Sequence, residues 1–283
     1  MTPNFEVKVL LNPDNAIERR GLTPQPVENL LKTFNIPTGE SKIAMAVQYL
    51  DTGKTKTIYT AGWSPRIRRM ADDAKRIELT YKKRYTIPLP DTLTTFNADP
   101  NTDVSIYQTA INQVLVLAAA DGFDASETDY DAQIEWGYQK LTLSITRKKK
   151  EKAAEWDLGG DSSTLPDEET SRKMLIKQAP GKFKNWKGVH GWGAETLKEA
   201  RVYGPVNAFR WEGKWDGGEV DIEIWPVKGA GEGGVDLIGE VSFKTDDASV
   251  AKERQGRLIE VLRGGGWFLE GDSLKTQIIM DRY

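Results

Sequence analysis

Apolar residues recur at helical spacing in three stretches. The first is opened by Thr23-Pro24 and carries Val27, Leu30, Leu31 and Phe34 on one face, with proline at the first helical position. Asp103 is placed to cap the second, in which Val104, Tyr107, Ile111, Val114, Leu115 and Ala118 form a stripe that Gly122 stops. Asp247 is placed to cap the third, which carries Ala251, Leu258 and Leu262 before the Gly264-Gly265-Gly266 break. Most of the remainder alternates with period two and predicts strands. The polar segment at about 151–171, with Gly-Gly and Leu-Pro breaks, reads as a surface loop, since strand patterns of one style flank it.

The polar members of the alternation are charged in nearly every strand. Glu6 and Lys8 oppose Phe5, Val7 and Val9; Arg66 and Arg68 flank Ile67. Arg76, Glu78, Thr80, Lys82 and Arg84 oppose Ile77, Leu79 and Tyr81, while Lys140, Thr142, Ser144, Thr146 and Lys148 oppose Leu141, Leu143 and Ile145. Asp221 and Glu223 oppose Val220, Ile222 and Ile224; Glu240, Ser242 and Lys244 oppose Val241 and Phe243. A half-exposed sheet also alternates. Here, however, both signs of charge share a face, and three helices offer apolar stripes to cover the other side. The consistent arrangement is a sheet curled around its charged face, with helices packed outside. Such an interior is stable only if hydrated, internally paired or filled by a charged ligand.

Composition narrows the chemistry. The 283 residues carry 39 Lys and Arg against 42 Asp and Glu, a net charge of −3 that argues against a DNA-coating or polybasic membrane protein. There is no cysteine, which removes disulfides, thiolate metal sites and cysteine nucleophiles. The single histidine, His190, argues against multi-histidine metal sites, so any metal is held mainly by oxygen, which favours Mg²⁺ or Mn²⁺. The longest apolar run, Val114 to Ala120, is too short to span a bilayer, and no signal-like segment opens the chain, so a cytoplasmic location is expected.

The charged strands carry a family resemblance. Glu6-Val7-Lys8 is similar to the E-x-E-x-K opening strand of the CYTH, or triphosphate tunnel metalloenzyme, superfamily. Tyr49-Leu50-Asp51-Thr52 resembles its Y-x-D-T segment, and Ala61 to Arg69 its L-R-I-R strand. Glu78-Leu79-Thr80-Tyr81-Lys82 sits where its T-x-K strand follows, and Val220 to Glu223 and Gly239 to Phe243 resemble its two late acidic strands. These motifs cover about half the chain in two blocks. The resemblance implies an α+β fold: an eight-stranded antiparallel tunnel-like barrel with a charged interior and helices outside. It is expected as a single domain over 1–283, with a helical insertion at about 86–135.

It also implies a divalent-metal-dependent phosphohydrolase acting on a small-molecule triphosphate or pyrophosphate, with no DNA or membrane partner. Glu6, Glu223 and Glu240, assisted by Asp221, are then the carboxylates for Mg²⁺ or Mn²⁺. Lys8, Arg66, Arg68, Lys82 and Arg84 match the phosphate-gripping positions, and Glu223, Lys8 and Arg68 are the catalytic set, with Glu223 orienting water. Arg201 and Arg210, whose parity permits it, are further candidate tunnel cations, and Lys177 is placed with them. Two glutamate positions of the family pattern fall on Asn4 and Ser242, which lowers the ligand charge. Two alternatives stay open: a lyase or cyclase expelling pyrophosphate from a phosphoanhydride or prenyl diphosphate, and a non-catalytic phosphoanhydride-binding module.

Other signals are weaker. Gly53-Lys54-Thr55 lacks the first glycine of a P-loop, with a strand-like stretch expected after it. Gly229 to Gly234 matches a dinucleotide fingerprint by letter but lies between two strand patterns, which favours a hairpin. His190 reads as a solvated loop residue, the tryptophans as packing, and Arg147 to Lys150 as a solvated strand end rather than a tunnel rim.

Overall fold

The alternating strands form a closed barrel in a computed structural model that describes residues 2–20, 23–38, 42–89, 104–124, 128–231, 233–272 and 274–283. The strands are β1 (Asn4–Leu11), β2 (Ile17–Arg20), β3 (Thr23–Pro26), β4 (Lys42–Thr52), β5 (Trp63–Met70), β6 (Arg76–Ile87), β7 (Asp131–Trp136), β8 (Leu141–Lys152), β9 (Ala200–Trp215), β10 (Gly218–Lys228) and β11 (Val235–Thr245). Around the barrel they run β1-β11-β10-β9-β4-β5-β6-β8-β7 and back to β1.

The barrel therefore has nine strands of mixed direction, which corrects the expected eight-stranded antiparallel tunnel. The added strand is β7, which overlaps the end of the segment at about 86–135 expected to be a helical insertion. It forms a hairpin with β8, and β8 already pairs with β6, so β7 keeps one open edge. That edge closes on β1 in parallel, from Asn4 opposite Gln133 to Val7 opposite Trp136. Closure satisfies backbone groups that an open edge leaves unpaired, and the long chain between β1 and β7 permits the parallel crossover.

The larger core lies between the outer face of the barrel and the helices, and a second cluster, in which Met45, Val47, Tyr49 and Trp225 meet Ile279 and Met280, lies on the inward face. Val7, Val9 and Leu11 turn outward and join one apolar cluster with Leu258, Ile259 and Leu262 of the Ala248–Gly264 helix. Asp247 caps that helix as expected, accepting from the backbone N–H of Ser249 at 2.7 Å and of Val250 at 2.9 Å. The Val104–Ala120 helix buries Tyr107, Ile111, Val114 and Ala118, and the Tyr107 ring sits 4.9 Å from that of Trp136. Gly122 ends it with φ +89°; the expected cap, Asp103, lies outside the described residues.

The first predicted helix is shorter than its pattern suggests. Thr23–Pro26 pairs with Ile17–Arg20 in a two-stranded ribbon, and the helix covers only Glu28–Thr33. Pro24 and Pro26 lack an N–H and suit an edge ribbon, while Leu30, Leu31 and Phe34 are buried as expected. After Gly53-Lys54-Thr55 comes a single helical turn, Thr57–Thr60, instead of a strand. Asp51 holds this connection: its buried carboxylate accepts from the N–H groups of Thr52, Ile58 and Tyr59 at 2.7, 2.9 and 2.7 Å. Between Asp157 and Asp167 the chain is irregular and pinned by the buried Arg69, which donates to the carbonyls of Asp161 at 2.7 Å and Thr164 at 3.1 Å. Glu168–Lys177 is then helical, capped by Asp167. No helix among the described residues is long and apolar enough to cross a membrane.

Candidate functional site

The inward faces of the strands enclose a cavity of about 460 Å³. Its lining includes Lys8, Arg66, Arg68, Lys82, Arg84, Lys148, Arg210, Lys244 and Lys275 against Glu6, Asp131, Glu135, Asp221, Glu223 and Glu240. A positively charged chamber thus sits inside a chain whose overall charge is negative. Low-dielectric walls focus such a field on an anion.

Strand register explains which groups meet. On the β5–β6 side, Arg68 lies opposite Glu78 and Arg66 opposite Thr80. Both guanidiniums converge on Glu78, at 2.8 Å from Arg68 and 3.3 Å from Arg66. On β7, Glu135 accepts from Lys82 at 2.6 Å and from Ser144 at 2.7 Å, with Lys8 and Arg84 each at 3.8 Å. Arg84 donates its remaining fork to Ser64 at 2.8 Å. Among the described residues, the buried Nε–H groups of Arg66, Arg68 and Arg84 make no hydrogen bond, that of Arg84 lying 3.8 Å from Glu135. The side chains of Arg66, Arg68, Lys82 and Arg84 are 17–20% exposed and line the cavity, so this wall presents four cationic groups to an anion.

The opposite wall is acidic. Glu223 of β10 lies directly across from Glu240 of β11, a like-charge juxtaposition that destabilises a sheet unless a cation intervenes. Lys275, from the Lys275–Arg282 helix, supplies that cation, with its ammonium 2.7 Å from Glu223 and 3.1 Å from Glu240. Glu223 also accepts from Arg210 at 2.7 and 3.1 Å and from the Trp225 indole at 2.9 Å. A second like-charge pair, Glu6 opposite Glu135 across the parallel β1–β7 contact, is bridged by Lys8, which sits 2.7 Å from Glu6.

These neighbours set the protonation states. Burial works to raise the Glu135 carboxyl, but Lys8, Lys82 and Arg84 overturn it and hold it well below the usual range. Glu223 behaves alike: burial opposes its charge, and Lys275 and Arg210 win. Burial also works against the Lys275 ammonium, which Glu223 and Glu240 nevertheless push above its ordinary range. Burial pushes Lys82 down to about 8, since Arg84 and Lys8 offset the help from Glu135. Asp221 is raised by burial, and among the described residues its carboxylate accepts no hydrogen bond and forms no ion pair.

Most expected site residues meet in this cavity: Glu6, Lys8, Arg66, Arg68, Lys82, Arg84, Arg210, Asp221, Glu223 and Glu240 all line it. Lys177 and Arg201 do not. Lys177 lies on the Glu168–Lys177 helix with its ammonium over the Trp156 ring, and Arg201 stacks on Tyr203 and donates to the Tyr283 carbonyl. Lys148 reaches the cavity rim from the basic run expected to be only a solvated strand end. Glu135, Lys275 and Trp225 were not anticipated as site residues. The Asp131, Gln133, Glu135 alternation signals the first, whereas nothing local in Leu274 to Tyr283 signals a tunnel lysine. His190 is exposed, and Gly229 to Gly234 closes the β10–β11 hairpin through the Gly229 N–H and the Gly234 carbonyl.

The carboxylates expected to hold Mg²⁺ or Mn²⁺ do not form a ligand set. Glu6 faces Lys8, and Glu223 and Glu240 share Lys275, while the neighbouring positions are Asn4 and Ser242. No group of three metal-ligating side chains converges among the described residues.

No family model and no curated protein matches the chain. Among solved structures it is similar to a Hippeastrum protein, described as an adenylyl cyclase candidate with a dominant triphosphatase activity, at 12% identity, TM-score 0.48, over 98% of this chain and 94% of that one. It is also similar to adenylate cyclase candidates from Bacillus halodurans, at 14% identity and TM-score 0.46, and Vibrio parahaemolyticus, at 12% and 0.42, each over 98% of both chains. By its motifs, and by the charged barrel those motifs line, the chain resembles the CYTH, or triphosphate tunnel metalloenzyme, superfamily.

Proposed function

We propose that the tunnel binds a small molecule through a triphosphate or pyrophosphate group and cleaves its phosphoanhydride. The observation that carries this reading is the β5–β6 wall. Arg66, Arg68, Lys82 and Arg84 line the cavity side by side, each partly exposed, with Glu78 and Glu135 as their carboxylate partners. Phosphate oxygens are acceptors of matching charge, and guanidinium forks bind them with two parallel hydrogen bonds. Phosphoryl transfer asks mainly for positioning and for charge stabilisation on the phosphoryl oxygens, which fixed cations supply without reorganisation.

Water is oriented from the acidic wall. Glu223 was the expected orienting group, but its oxygens already accept from Arg210, Lys275 and Trp225. That filled shell supports moving the role to Asp221, two residues away on the same face, whose raised carboxyl is the better proton acceptor. Lys8 stands at the cationic end of the Glu6–Glu135 bridge and neutralises a further phosphate. A metal cofactor, Mg²⁺ or Mn²⁺, is implied by the family resemblance alone, and no step here depends on it.

One observation favours a second reading, a phosphoanhydride-binding module without turnover: the carboxylates at Glu6, Glu223 and Glu240 are all engaged by lysine. A release assay with tripolyphosphate, nucleoside triphosphates, thiamine triphosphate and prenyl diphosphates separates the readings. Each substrate is run in chelator and with Mg²⁺ or Mn²⁺, with an Arg66→Ala, Arg68→Ala variant as control. Orthophosphate release that the control loses supports the hydrolase. Pyrophosphate release without incorporation of water supports the lyase or cyclase. Binding without release supports the module, and neither binding nor release removes the phosphoanhydride reading altogether.

A further inference from the structure

Two facing carboxylates in a buried wall need a cation, and this chain supplies its own. Glu223 and Glu240 stand opposite each other in register, and the Lys275 ammonium lies within hydrogen-bond distance of both. The lysine is also 4.7 Å from the centre of the Trp225 ring, whose indole N–H bonds the same Glu223. Its helix is fixed at several points. Ile279 and Met280 are buried against Val47, Tyr49 and Trp225 in the apolar cluster on the barrel's inward face, Lys56 pairs with Asp281, and Arg282 donates to Asp236 at 2.6 Å. Lys275 is therefore delivered by a packed element rather than by a loose tail.

We propose that Lys275 takes the place of a divalent cation at the Glu223–Glu240 pair, so that the tunnel meets its anionic ligand with protein cations alone. The placement of the lysine follows from distances and register; the statement about the ligand rests on the phosphoanhydride reading given above. An ammonium contributes one positive charge on a fixed stem and brings no exchangeable water. The site is then matched to ligands whose charge Arg66, Arg68, Lys82 and Arg84 carry on the other wall, and Lys275 keeps the acidic wall from repelling them.

Titration of Mn²⁺ alone against the full chain, read by the resonance signal of the free ion, tests the replacement without reference to phosphate. Wild type is expected to bind no stoichiometric Mn²⁺. Lys275→Met is expected to gain a site about tenfold tighter or more, because freed carboxylates add ligand charge. A Lys275→Met, Glu240→Gln double variant is expected to lose that gain, and Lys275→Arg, which keeps the charge, is expected not to show it. Mn²⁺ should raise the melting temperature of Lys275→Met and leave that of wild type unmoved. One equivalent of Mn²⁺ on wild type that Glu240→Gln abolishes overturns the proposal, as does a folded Lys275→Met that gains nothing. The wild-type and Lys275→Arg arms decide the matter even where Lys275→Met does not fold. Tripolyphosphate titrated calorimetrically into wild type in chelator tests the second half. Absence of binding there, with the Mn²⁺ results as expected, removes the phosphoanhydride reading and leaves the lysine assignment standing.

Discussion

The two walls of the tunnel solve the same electrostatic problem in opposite ways. On the acidic wall, Glu223 and Glu240 are satisfied from within by Lys275, Arg210 and Trp225. On the basic wall, Glu78 and Glu135 are two carboxylates shared among Arg66, Arg68, Lys82, Arg84 and Lys8, so cations outnumber the acids that pair with them. A closed network rigidifies a barrel, while an open one leaves binding capacity. The contrast teaches that charge alone does not locate a binding surface inside such a tunnel; the balance between cations and the carboxylates that already pair with them does.

The largest effect should come from breaking the basic wall. Arg66→Ala with Arg68→Ala removes two charge-assisted contacts of about 1.5–3 kcal/mol each, so tripolyphosphate affinity should fall on the order of a hundredfold or more in a calorimetric titration. Next, Glu135→Gln deprives Lys8, Lys82 and Arg84 of their shared carboxylate. Stability should drop by roughly 3–5 kcal/mol, and tripolyphosphate should restore more melting temperature to this variant than to wild type. Should Glu135→Gln melt like wild type, the basic wall is not held by that carboxylate.

A smaller effect is set by pH. With Lys82 down to about 8 in the free protein, its protonated form is the one that binds an anion. Affinity should be full below that value and fall as pH rises through it, by about tenfold per unit at most for one proton. Lys82→Arg should flatten the fall, and an unchanged profile would assign the titration elsewhere. The smallest effects belong to Lys177→Ala and Arg201→Ala, which lie outside the cavity and should leave tripolyphosphate affinity unchanged. A clear loss in either variant would mean that the ligand extends beyond the tunnel.

Much of this was legible because a strand's period of two reports faces directly. Glu6, Lys8, Arg66, Arg68, Lys82, Arg84, Asp221, Glu223 and Glu240 were read from alternation and motif, and all line the cavity. The ninth strand was missed because its six residues sit beside a strong helical stripe, and their parallel pairing with β1 has no local signature. Lys275 escaped for a related reason: it lies on a helix, and only packing of that helix brings it to the tunnel. Arg201 and Arg210 are nine residues apart on one strand, but they pair with Asp51 and Ile43, eight apart on β4, so the shifted register between Tyr203 and Val206 keeps them on one face. Arg201 misses the cavity because it lies at the far end of the strand, against Tyr283. Lys177 lies on a helix, where parity has no meaning.

The most direct test of the central claim is a calorimetric titration of tripolyphosphate into the wild-type chain at pH 7 in chelator, repeated with Arg66→Ala, Arg68→Ala. One ligand per chain, bound in wild type and lost in the variant, is the result expected of a basic wall that carries the charge of the ligand. No heat and no thermal stabilisation in wild type, or equal binding by both proteins, would contradict it.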